Sequence, residues 1–76
     1  MDAEAVKLLA AGLCMGLGSL GPGIGIGILG YGAVTAVARN PEARGQIFTN
    51  MLFAIALAEA VAIYALVVSI ILLFVA

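Results

Sequence analysis

Charged residues stand only at the ends and in one short interruption of an otherwise apolar chain. From Leu8 to Ala38 no residue carries a charge, and from Gly45 to Ala76 the single exception is Glu59. As a helix rising about 1.5 Å per residue, the first run reaches about 46 Å. That exceeds the ~30 Å hydrocarbon core of a bilayer, so such a helix tilts or protrudes. Between the runs lies Arg39-Asn40-Pro41-Glu42-Ala43-Arg44. Pro41 disfavours helix at Asn40 and suits the first turn of a following helix. The pattern predicts an all-α membrane protein made of one hairpin domain over residues 1–76, with helix 1 over about 5–38, a polar loop over about 39–45 and helix 2 over about 46–75.

Composition supports this. Of 76 residues, 66% are hydrophobic and 9% charged, too few polar side chains to cover a water-facing surface. A net charge of −1 argues against nucleic acid, whose binders cluster Lys and Arg. With no His and one Cys there is no disulfide framework and no His/Cys metal cluster. The acidic opening Met1-Asp2-Ala3-Glu4 and the long apolar run do not fit a secretory signal peptide. Arg39 and Arg44 in the turn, against Lys7 on the amino-terminal flank, put the turn on the cytoplasmic or an equivalent side.

Nine of the ten glycines fall in the first run. At ~100° per residue they form two arcs on nearly opposite sides of a helix, one with Gly12, Gly16, Gly23, Gly27 and Gly30, the other with Gly18, Gly21, Gly25 and Gly32. Small residues let membrane helices approach closely. Two such faces imply two like neighbours, and head-to-tail contacts of that kind close into a ring. The competing reading gives one face to the second helix and the other to an unrelated protein. Two GxGxxG strings, Gly16–Gly21 and Gly25–Gly30, have no βαβ unit around them and are discounted as dinucleotide sites. Pro22 removes one backbone hydrogen bond and is a place for a kink.

Glu59 stands about 22 Å beyond Arg44 along a helix, near the bilayer midplane. A charge there costs at least ~2.5–3.5 kcal/mol. The carboxyl is therefore expected to be neutral while it faces lipid and to ionise only where water or a cation is offered, the chemistry of a proton or ion carrier. The alternative is a neutral carboxyl that ties two helices together. Folding the hairpin about Pro41 sets Glu59 level with Gly23, so the closest helix approach is expected at the depth of the carboxyl. Ala56, Ala58, Ala60 and Ala62 keep the second helix slim there. Tyr64 is about 140° around the helix from Glu59 and is better placed to meet a Glu59 across a subunit boundary than its own. Cys14, Ser19, Thr35 and Ser69 read as packing residues bonded back to their own helix. No base, nucleophile or metal accompanies the carboxyl, so the chain is not an enzyme by itself.

Gly21-Pro-Gly23-Ile-Gly25-Ile-Gly27, the turn Ala38-Arg39-Asn40-Pro41-Glu42, and Ala58-Glu59 followed by Tyr64 together resemble the c subunit of F-type ATP synthase, the rotor-ring proteolipid, over nearly the whole chain. The resemblance implies a homo-oligomeric ring in the membrane-embedded Fo sector, first helices inside and second helices outside, with Gly21, Gly23, Gly25 and Gly27 at the helix packing. It implies that Glu59 takes a proton from one half-channel of the stator's a subunit, rides the ring neutral, and releases it near the stator arginine. It also implies that Arg39, Asn40 and Pro41 dock on the central-stalk subunits gamma and epsilon.

Sodium-carrying rings of that family place Gln where Ile26 stands and Ser or Thr where Ala60 stands. Both positions are apolar here. A sodium ion needs several oxygen ligands, whereas a proton on Glu59 needs one acceptor, for which the Leu57 carbonyl or a water serves. The expected ion is H+, with no cofactor, and the resemblance gives Tyr64 a supporting role in holding the closed carboxyl. Membrane lipid is the remaining expected partner, and a bacterial plasma membrane or an organelle's energy-transducing membrane the expected site. The other readings are a sodium-carrying ring, a V-type proteolipid, and a non-rotary pore-forming or structural hairpin.

Overall fold

The computed structural model describes residues 2–75; the expected domain limits at Met1 and Ala76 lie outside them. Two α-helices run antiparallel, α1 over Ala3–Arg39 and α2 over Arg44–Phe74. They form an elongated hairpin 58 × 18 × 8 Å. Each is long and apolar enough to cross a membrane. The chain is an integral membrane protein with two spans.

Local chemistry sets the helix ends. The Asp2 carboxylate accepts from the Ala5 backbone N–H at 2.8 Å, so α1 starts two residues before the position expected from the apolar run. Asn40, held out of the helical region by the following proline, ends it at φ −141° and ψ 78°. Pro41–Ala43 then forms a 3₁₀ turn that feeds directly into Arg44. The loop is thereby shorter than residues 39–45, because Pro41 starts a turn rather than merely stopping a helix. Pro22 lies inside an unbroken α1, so the kink considered for it does not divide the helix.

The two helices meet along facing stripes of residues withdrawn from the surface. On α1 the stripe includes Ala11, Cys14, Gly18, Pro22, Ile26 and Ala33; on α2 it includes Met51, Ala54, Ala58, Ala62, Ala65 and Ser69. Spacings of three and four residues keep each stripe on one side of its helix. Only Ala11 and Ser69 are buried among the described residues, and neither completely. Leu17, Ile28, Phe53 and Phe74 stand more than half exposed, as befits a surface that meets lipid or neighbouring subunits rather than water.

Ala65 is the meeting point. Its carbonyl lies 2.8 Å from the Ser69 hydroxyl and 3.6 Å from the Cys14 thiol of α1. The Ser69 hydroxyl also lies 3.2 Å from the Ala11 carbonyl, so its single proton is shared between the helices. A Cβ added to Gly18 would collide with the Ala65 methyl. Two expectations are corrected here. The tightest backbone approach is at Gly18 and Ala65, about six residues toward the termini from Glu59, because Gly23 faces open space. Cys14 bonds across to α2 and Ser69 reaches both helices, since the stripe brings a foreign carbonyl as near as the residue's own. Ser19 does bond back, to the Gly16 carbonyl at 3.4 Å.

Gly18→Ala is expected to loosen the hairpin by about 1–3 kcal/mol through overpacking, and Ala65→Gly in the same chain to recover most of the loss. Detergent-titrated unfolding, followed by energy transfer between dyes at the two helix ends, measures both changes; equal losses that simply add would disprove the contact.

Candidate functional site

Counting along the antiparallel pair from Ala11 opposite Ser69 and Gly18 opposite Ala65 sets Glu59 level with the Gly21–Ile24 turn of α1. Glu59 follows Ala58 of the inner stripe, so its side chain leaves α2 about 100° away from α1, on one flank of the hairpin. It is exposed. Among the described residues it makes no side-chain hydrogen bond and no ion pair. The ion pair present there, Lys7 with Glu4 at 4.0 Å, lies on the first turns of α1. The carboxyl is thus an unpartnered acid in the middle of an apolar span, the costliest place for its ionised form.

The side chains expected to support it are spread over the hairpin. Tyr64 is 71% exposed and stands on the opposite flank, about 140° from Glu59. Leu57, 62% exposed, shares the Tyr64 flank. Ala60 points outward, away from α1, and Ile26 belongs to the α1 stripe that faces α2. One hairpin therefore does not gather these groups around the carboxyl.

The glycines fit the same division. Of the ten, only Gly18 meets the partner helix; Gly21, Gly23, Gly25 and Gly27 have nothing within 4 Å of an added Cβ. The two glycine arcs lie on either side of the α2-facing stripe of α1, roughly 60° and 125° from it. Apart from Gly18, which belongs to the nearer arc and meets Ala65, the glycines of both arcs are open to other helices. At the far end of the hairpin Arg39, Asn40 and Pro41 are all exposed. No group of His, Cys, Asp and Glu among the described residues is suited to a metal ion. The cross-helix role of Ser69 went unseen in the sequence, since a serine in a span bonds its own helix whatever its neighbours.

The family model for the ATP synthase c subunit matches residues 9–72, both helices and the turn between them. The chain belongs to the ATP synthase c-subunit family. The ATP synthase c subunit of Dehalococcoides mccartyi strain CBDB1 is 66% identical over 76 residues, covering all of both chains. That of Petrotoga mobilis is 52% identical over 69 residues, 91% of this chain and 72% of the relative. That of Chloroflexus aurantiacus strain J-10-fl is 48% identical over 66 residues, 87% of each. As a c subunit the chain is an ion-translocating component of the synthase, without catalysis of its own.

Because Glu59 has no partner within the hairpin, Glu59→Leu is expected to make insertion of α2 more favourable by roughly 3 kcal/mol. Translocon-mediated insertion of α2 scored by glycosylation of flanking sites reads this directly; an unchanged insertion equilibrium would mean that the carboxyl is already compensated inside one hairpin.

Proposed function

We propose that Glu59 is the proton carrier of the rotor ring. The observation that carries this reading is its position: an acid at mid-span of α2, on the flank of the hairpin, with no partner of its own. In its neutral form the carboxyl passes through lipid at low cost. Its ionised form is stable only opposite a fixed cation or water. The stator's a subunit supplies both, through two half-channels and an arginine between them. A proton enters from one half-channel and binds Glu59, the ring turns, and the proton leaves Glu59 into the other half-channel as the site returns to the arginine. Since protonation alone decides whether the site can leave the arginine, proton flow and rotation are tied together.

In the assembled ring Tyr64 of the neighbouring copy meets the closed carboxyl, and the Leu57 carbonyl or a water accepts its proton. Ile26 and Ala60 add no oxygen, which suits H+ and leaves sodium short of ligands. Arg39, Asn40 and Pro41 meet the central-stalk subunits gamma and epsilon on the cytoplasmic side of a bacterial plasma membrane or its organellar equivalent.

Labelling the purified oligomer with a hydrophobic carbodiimide across a pH series, with and without excess sodium, tests this. The adduct is expected at Glu59 alone, declining as pH rises and indifferent to sodium. Protection by sodium would reassign the ion, and the absence of any adduct would return Glu59 to a structural tie. Glu59→Gln is expected to abolish proton-driven ATP synthesis in vesicles carrying the complete synthase, while ring assembly persists.

A further inference from the structure

Near the turn, the two flanks of the hairpin differ in shape. On the Glu59 flank Phe48 stands 54% exposed, its ring forming one wall of a shallow apolar groove beside Val34, Val37 and Arg44. On the Tyr64 flank, at the same height, lies a wider groove of about 430 Å³ between α1 and α2, lined by Leu29, Gly32, Ile47, Asn50 and Ala54. Its floor is open because Gly32 has no side chain and nothing lies within 4 Å of where a Cβ would stand. One flank thus presents an aromatic knob and the other a groove that admits one. Phe48 leaves α2 about 100° from Ile47 on the groove's wall and about 160° from Asn50 at its rim, so no hairpin can fill its own groove.

We infer that this groove is the seat of Phe48 from the next copy of the same chain, and that the pair forms the loop-side lock of the subunit boundary. The inference rests on ring assembly, in which every hairpin stands at one height and turns its Glu59 flank to its neighbour's Tyr64 flank. Under that symmetry Phe48 and the groove meet without any shift along the membrane normal. The contact is continuous with the boundary at Glu59, about three helical turns deeper. A buried aromatic in a pocket is the kind of anchor that dominates an interface. Asn50 at the groove's rim then closes over an apolar ring rather than facing lipid.

Cysteine pairing discriminates this from other occupants. In a Cys14→Ala background, Phe48→Cys with Asn50→Cys is expected to give, on mild oxidation, a ladder of covalent multimers up to the full oligomer, whereas either substitution alone gives not even a covalent dimer. The native mass of the same sample in detergent reports separately whether the oligomer is intact. An intact oligomer with no ladder would overturn the seat and leave the groove to a lipid chain. A covalent dimer from Phe48→Cys alone would overturn it in favour of like flanks pairing. If the unaltered chain forms no oligomer, ring assembly itself fails, and the seat with it. A second variant removes dependence on cysteine chemistry. Gly32→Leu has room in the single hairpin and is expected to leave helicity unchanged while lowering oligomer yield at least tenfold; an unaffected yield would overturn the inference.

Discussion

How α2 is turned about its own axis decides which of its residues meet α1, lipid or a neighbour, and one junction fixes that turn. The Ala65 methyl lies against the bare backbone of Gly18, while its carbonyl receives both the Ser69 hydroxyl and the Cys14 thiol. In lipid there is no hydrophobic effect to drive two apolar helices together, so packing and shared hydrogen bonds must define the pair. With Ala65 held inward, Ala58 faces inward too and Glu59 cannot. The carboxyl is put on the flank by small residues one to two turns away, none of which touches it.

That arrangement separates stability from function. The hairpin is held by the Gly18–Ala65 packing and the Ser69 and Cys14 hydrogen bonds, and Glu59 takes part in none of them. On the role proposed for Glu59, a site that changes its charge once per cycle is best kept out of the contacts that hold the fold, because each change would otherwise strain them. The same division leaves the glycines of both arcs other than Gly18 free of α2, and Glu59 without a partner inside the single hairpin.

Much of this is legible in the sequence. The two apolar runs and the turn residues Asn40 and Pro41 give the hairpin, and a lone glutamate in an apolar span identifies itself by its cost. The glycine arcs are visible because helical periodicity is simple arithmetic. The point of closest approach is not legible in the same way. Gly23 lies level with Glu59, and a sequence rich in glycine offers no sign of which one faces inward. The choice falls on Gly18 because Ala65 and Ser69 supply a methyl and a proton to the other helix at that level, a pairing set by register and rotation together. The inward turn of Cys14 has the same origin. Asp2 and Pro41 shift the helix ends by a residue or two through capping and turn geometry that hydropathy does not register.

The length of the hairpin has a mechanical side. At 58 Å it exceeds the ~30 Å hydrocarbon layer by nearly its own thickness again. Both helices run unbroken to within a few residues of the turn, so whatever stands clear of the bilayer is a braced pair of rods rather than a tether. Helical segments act as spacers that resist bending where a flexible linker would yield. A sideways push on Arg39 or Arg44 is therefore borne by the whole post and arrives at the depth of Glu59 as displacement, with little lost to slack on the way.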